Sequence, residues 1–360
     1  MKRKRILFLG ETYRADAITW MNGLKEFGDF EIVTWELKRS NIGVSRIKRL
    51  IELLITFFTI KKIAKTYNPD MVIAERTTSY GFLAALTGIK PVAIAQQGIT
   101  DLWPHNSPLY IFKKILQDYA FKKAVIIHAW GKVMTEHIRL SNVDMTKVFE
   151  LPKGINLTYF NFNSKDDIKY INAVVTRSLE PEYKHDCILK AFAILKSKNI
   201  PFKLTIIGDG SMLYSLENLS ESLSIKNDVI FTGLLDNEKV AEILQKSNFY
   251  ISMPITEGVS ASLFEAMACG CFPIVTDLPG NRSWIKNHEN GILIPNENHK
   301  LLAKELIEAT ERSTWRKAVV ERNRKFVEEN ANYAKNMKKI AEKYHDLINN
   351  KSKTKENVRD

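Results

Sequence analysis

Apolar residues along this chain come in short runs, and between the runs they recur at helical spacing. RILFLG is followed by a helical pattern ending near Gly28, then FEIVTW, a long basic and apolar helix, MVIAE, a helix over 81–86, PVAIA, a helix over 110–121, and AVIIHAW. Alternation of this kind predicts a parallel sheet with helices on both faces. Ligands of such sheets bind at the carboxyl ends of the strands.

The alternation stops at LPKGINLTYFNFNSKDD, where Pro152, Gly154 and a polar cluster mark a linker. A second series then starts: INAVVTR, a helix over 184–196, FKLTIIGDG, a helix over 211–223, VIFTG, a helix over 237–245, FYISM and FPIVT. Two doubly wound, Rossmann-like α/β domains in tandem follow, placed at residues 1–160 and 161–330. Residues 331–360 complete a charged helical stretch over 314–350, which is free to pack back on the first domain, and a terminal KSKTKENVRD expected to fray.

Length agrees with this division, since 360 residues exceed the roughly 250 to 300 at which a single core stops growing. The formal charge of +12 points to an anionic partner: nucleic acid, a phosphorylated small molecule or an acidic membrane surface. Nucleic acid is the poorest of the three, because no interleaved aromatic platform or known module accompanies the basic residues. Cys187, Cys269 and Cys271 are too few and too badly spaced for a disulfide framework, which fits a reducing, cytoplasmic compartment. MKRKRILFLGE has the basic start of a signal peptide, but Glu11 ends its apolar run after five residues, so it reads as a first buried strand. No run approaches the ~18 apolar residues of a membrane-spanning helix.

Chemistry concentrates in the second series. Gly208 and Gly210 in GDG read as a tight strand-to-helix turn or as room for a ligand, and they do not make a G-x-G-x-x-G fingerprint, which argues against a dehydrogenase. In EGVSASLFEAMACG, a helix is expected over 261–268 with Ser260 or Ser262 as its cap. The backbone N–H groups of Gly258, Val259 and Ser260 would then face a phosphate or a hydroxyl-rich ligand. Glu257 and Glu265 would accept hydrogen bonds from vicinal hydroxyls. The plainer alternative makes Glu257 a partner of the helix dipole and Glu265 a surface residue, yet Glu265 lies between Phe264 and Ala266 in an apolar run.

That segment resembles the Glu-x7-Glu signature, followed by Ala-Met-Ala-x-Gly, of the retaining glycosyltransferases of family four. LPKGINLTYF, TRSLEPEYKHDCILKAFAIL, VIFTGLL and NGILIP are similar to further motifs of that family, in the same order, over residues 151 to about 310. The resemblance implies a GT-B fold, two Rossmann-like domains facing a cleft. It also implies transfer of a sugar from a nucleotide-sugar donor to a saccharide or lipid-linked acceptor with retention of anomeric configuration. By the same resemblance Arg177 and Lys184 would stabilise the leaving diphosphate without a metal or other cofactor. Glu257 would hold the transferred sugar, Glu265 the ribose, and backbone near Leu234 the base. Thr176, His185 and Asn248 depart from the family pattern, as does GNRSWI, without touching those residues. Two alternatives stay open: a non-catalytic nucleotide-sugar-binding subunit, and a GT-B nucleotide-sugar epimerase.

The first domain would take the acceptor. AIAQQGITDLW resembles an acceptor-side loop, so Gly98 and Asp101 are candidates there, with Asp101 either receiving the acceptor's proton or capping a turn. His128, at a strand end, either faces the cleft or is satisfied structurally. RIKRLIELLITFFTIKKIAK, residues 46–65, either packs on its own sheet or lies on an anionic membrane, with Lys113, Lys114, Lys122 and Lys123 extending the basic patch. The second option would make the protein peripheral on the inner membrane face.

Overall fold

A computed structural model describes residues 3–37, 46–96, 108, 110–141, 143–165 and 170–356, with side chains throughout except over 46–54 and 351–356. The chain forms two compact units, Met1–Lys153 with Ala334–Asp360, and Gly154–Tyr333.

In the first unit, β1 (Arg5–Leu9), β2 (Glu31–Trp35), β3 (Met71–Glu75), β4 (Val92–Gln96), β5 (Ile126–Ala129) and β6 (Val148–Glu150) form one sheet in the order β2-β1-β3-β4-β5-β6. Every pairing is parallel. Leu7, for example, sits between Val33 and Val72. The helices expected from the periodicity are present at Ala15–Gly28, Arg46–Tyr67, Phe82–Leu86 and Tyr110–Lys123. A π-helical turn, Thr77–Gly81, precedes Phe82–Leu86.

The second unit repeats the plan with β7 (Ile171–Thr176), β8 (Phe202–Ile207), β9 (Val229–Phe231), β10 (Phe249–Ser252), β11 (Phe272–Thr276) and β12 (Ile292–Ile294), ordered β12-β11-β10-β7-β8-β9. Successive side chains on a strand point to opposite faces. Ala173 and Val175 of β7 with Phe249 and Ile251 of β10 therefore join one core, including Ile188, Phe192 and Leu204. Val174 and Tyr250 join another, with Phe264, Met267 and Val275. Burial of both faces is why these strands read as continuous apolar runs.

The C-terminal stretch differs from expectation. It is two helices, Ser313–Asn330 and Tyr333–Glu356, after a further helix at His299–Glu311. The break has a local cause: Ile155 N donates to Ala331 O at 2.8 Å and Tyr333 N to Ile155 O at 3.0 Å, so this strand-like bridge interrupts the helical ladder. Gly154 makes the approach possible. It has φ +81°, and a Cβ there would stand 2.4 Å from Ala331 O. The last helix continues to Glu356, past the Asn350 end expected from sequence. Within the first unit, His345 stacks on Phe30 at 4.3 Å and Asn336 Nδ2 donates to Pro152 O at 2.9 Å.

His128 does not face solvent. It is fully buried on β5, where Nε2 donates to Leu151 O at 2.8 Å and Nδ1 lies 3.5 Å from the Tyr344 hydroxyl. Burial drives its pKa down to about 3, so the ring is neutral and structural, and it is corrected here from the acceptor side to the core. Gly98 and Asp101 lie outside the described residues. Among the described residues, no helix is long and apolar enough to cross a membrane.

Candidate functional site

The chain direction across the second sheet reverses between β7 and β10, because β8 and β9 lie to one side of β7 and β11 and β12 beyond β10. The carboxyl ends of strands at such a switch point diverge and leave a crevice. Arg177 follows β7 directly, and Ser252 ends β10. They meet there, with Arg177 Nε donating to Ser252 Oγ at 3.0 Å.

Two glycines let the backbone pass beneath this point. Gly208, just after β8, has φ +146°, and a Cβ on it would sit 2.2 Å from Arg177 O. At Gly210 a Cβ would stand 2.5 Å from Leu179 O. The GDG turn therefore supports the Arg177–Leu179 backbone by close approach, which no larger residue permits.

From the other side comes the segment 257–270. Ser260 caps the helix Ala261–Ala268, its Oγ accepting from Leu263 N at 3.2 Å. The same Oγ accepts from Arg177 Nη2, which also pairs with Glu257 Oε2. The other Glu257 oxygen accepts from Gly258 N at 3.2 Å. The amide of Gly258, expected to face a ligand, is thus turned to its neighbour's carboxylate. Both side chains of the pair are largely enclosed, Arg177 at 13% and Glu257 at 11% exposure. Burial alone would depress the guanidinium, but Tyr250 and Glu257 hold its pKa above the ordinary value. Tyr183 adds a ring beneath it at 5.6 Å.

Glu265 lies just over one turn into the capped helix, half-buried. Burial pushes its pKa up to about 7, and the positive charge of Arg177 opposes the rise. A carboxyl so perturbed by burial, with a cation acting on it, marks a candidate site residue. Lys184 does not join Arg177. Its Nζ pairs with Glu297 Oε1 at 2.8 Å, and this hydrogen bond raises the lysine's pKa. Lys184 itself has φ +49° and precedes the helix His185–Ser197, where His185 is buried with Nε2 2.9 Å from Ser178 O. Leu234, beyond β9, is 78% exposed and follows Gly233, which has φ +70°. Val259 is half-buried beside the core.

Ser252, Tyr183, Glu297 and Gly280 were missed in the sequence. A Cβ on Gly280 would meet Glu257 O at 2.3 Å, so this glycine seats the Glu257 loop. A polar residue closing the apolar run FYIS was the available signal for Ser252; the others carried none. Among the described residues no three of His, Cys, Asp and Glu stand together as metal ligands.

This fold and crevice define a class. Residues 159–326 match the family described as Glycosyl transferases group 1, and residues 5–129 match Glycosyl transferase 4-like, so each unit carries a glycosyltransferase family match on a GT-B fold. Among particular proteins, the chain is similar to an uncharacterized glycosyltransferase of Methanocaldococcus jannaschii, 26% identical over 68% of this chain and 64% of that one. The chain therefore spans less than two thirds of the first curated relatives it matches. It is also similar to the UDP-Gal:alpha-D-GlcNAc-diphosphoundecaprenol alpha-1,3-galactosyltransferase of Escherichia coli, 23% identical over 86% of this chain and 82% of that one. The solved structure of HepE from Anabaena in complex with UDP superposes with a TM-score of 0.76 at 13% identity, covering 96% of this chain and all of that one. A glycosyltransferase from Rickettsia africae gives a TM-score of 0.78 at 17% identity, over 97% and 99% of the two chains.

Proposed function

We propose that this protein transfers a sugar from a nucleotide-sugar donor to the hydroxyl of a lipid-linked acceptor, with retention of anomeric configuration and without a metal. The observation that carries the reading is the convergence of Arg177, Glu257 and the capped end of Ala261–Ala268 on one switch point, with Glu265 behind them. It is supported by the UDP held by the Anabaena neighbour and by the diphosphoundecaprenol acceptor named for the Escherichia coli relative.

In this reading the donor diphosphate replaces Glu257 as the counter-charge of Arg177. Glu257 is then released to accept hydrogen bonds from the sugar, and Glu265, ionised, holds the ribose. The acceptor oxygen bonds to the anomeric carbon on the face from which the diphosphate departs. The bond from that carbon to the phosphate oxygen breaks, and the same oxygen receives the acceptor's proton. Arg177, joined by Lys184 once it leaves Glu297, stabilises the charge growing on the leaving group. An acceptor anchored in lipid places the work at a membrane surface.

Incubation of the full chain with a panel of nucleotide sugars and a polyprenyl-diphosphate sugar, followed by NMR of the product, tests this. A product with the donor's anomeric configuration, formed equally in the presence of a chelator, is expected. An inverted anomer or dependence on divalent metal would overturn the mechanism, and absence of any thermal shift with UDP, UDP-sugars or other nucleotide sugars would remove the donor site.

A further inference from the structure

The helices Arg46–Tyr67 and Tyr110–Lys123 share one face of the first sheet. Arg46–Tyr67 connects β2 to β3 and Tyr110–Lys123 connects β4 to β5, and both steps move the same way across the sheet. Right-handed crossovers that advance in one direction lie on one face. Phe82–Leu86 packs between them, and Phe82 meets Tyr119 edge-on at 5.6 Å.

Each helix already has an inner surface. Thr56, Ile60 and Ala64, four residues apart, are buried, and so are Gln117, Ala120 and Phe121. A helix packed on a sheet in water carries polar residues on its other side. These two do not. Ile55 and Phe58 are 62% and 68% exposed, while Ile111, Phe112 and Ile115 are 73%, 52% and 60% exposed. Because the last three are spaced i, i+1 and i+4, they form a single patch at the start of their helix.

The net charge of both helices is positive. Arg46–Tyr67 contains six basic residues and one acidic, and Tyr110–Lys123 contains four lysines and one aspartate, so the two helices hold eight of the chain's twelve net positive charges. Asp118 is already paired with Lys114 at 3.0 Å. Lys61 lies over the Phe57 ring at 4.7 Å and Lys123 over Tyr119 at 5.7 Å, an arrangement in which apolar body and ammonium head approach one surface together.

We infer that this two-helix face, with Phe58, Ile111, Phe112 and Ile115 as its apolar contacts and Lys61, Lys62, Lys122 and Lys123 as its basic ones, docks on an anionic lipid bilayer. The inference gives a surface to the membrane part of the proposed function but does not depend on the sugar chemistry. Lysines near an acidic leaflet are attracted within about one Debye length, and apolar side chains enter the headgroup boundary.

Sedimentation of the full chain with phosphatidylcholine vesicles, with and without phosphatidylglycerol, is the test. Binding is expected only to the acidic vesicles. It should fall steeply when ionic strength rises toward 1 M, where screening acts over roughly 3 Å. Lys61→Glu with Lys62→Glu, and separately Phe112→Ser with Ile115→Ser, should each weaken binding by about tenfold or more, while the thermal shift given by UDP stays as in the parent. That shift separates a lost membrane face from a failed donor site or a misfolded variant. Equal binding to neutral vesicles, no binding to acidic ones, or variants that bind as the parent does would overturn the inference. A lipid-free dimer that the Phe112→Ser and Ile115→Ser pair dissociates would overturn it too, by assigning the face to a second copy of the chain.

Discussion

Glu257 grips Arg177 with one carboxylate oxygen and the amide of Gly258, 3.2 Å away, with the other. The pair joins the end of β7 to the loop after β10 through side chains that water scarcely reaches. Removing one member of such a pair strands a buried charge, and this makes the pair a structural element as well as a candidate for chemistry.

Arg177 uses Nε for Ser252 and Nη2 for Glu257 and Ser260, a geometry that a single ammonium cannot copy. Arg177→Ala should lower stability by about 3 to 5 kcal/mol in denaturant titration, since it leaves Glu257 buried without its cation. Arg177→Lys should recover part of that loss, yet turn over donor about 10² to 10³ more slowly than the parent. Full activity in the lysine variant would show that the fork is not used.

Glu265 has two pH signatures of opposite sign. Its pKa is near 7 in the folded chain against an ordinary value of 4.5, so between those values the folded protein keeps a proton that the unfolded one releases. Stability contributed by the protonated carboxyl is complete below 4.5 and is lost as pH rises through about 7. Glu265→Gln should abolish that slope in melting curves collected across the range. Affinity for UDP should instead rise with pH through the same window, because an ionised carboxylate forms the stronger bonds to ribose hydroxyls, worth about 1.5 to 3 kcal/mol each. Calorimetry showing flat affinity in the parent would remove Glu265 from the ribose.

Lys184 pairs with an exposed partner, and exposed pairs add little to folding. Lys184→Ala should melt with the parent and transfer sugar about 10² to 10³ more slowly. Added magnesium or manganese should not restore the rate. Near-normal turnover of Lys184→Ala would leave Arg177 as the leaving group's sole partner of the two.

Gly208→Ala tests the support beneath the site. The new methyl would be aimed at Arg177 O, 2.2 Å away, in a backbone region few residues other than glycine occupy. A loss of about 1 to 3 kcal/mol in stability is expected from the strain, together with weaker UDP binding as the Arg177 backbone moves. Unchanged affinity with reduced stability would confine Gly208 to folding.

Much of this molecule was legible in its sequence because the signals are local. A strand buried on both faces must be apolar throughout, so β1, β3, β7, β10 and β11 could be located as runs. The helix Ala261–Ala268 announced itself through Ser260, although Ser262 offered an equal cap until Leu263 N was seen to donate to Ser260. Proximity across the fold left no such mark. Strand order brings Arg177 to Ser252 and Glu257, and crossovers set that order, so no spacing along the chain encodes it. The same holds for Lys184 meeting Glu297, for the helix break where Ile155 bridges Asn332, and for His128, which meets Tyr344 arriving from the far end of the chain. Periodicity determines that a residue has an inner or an outer side; only the packed tertiary structure decides which group stands opposite, because that partner comes from a segment remote in sequence.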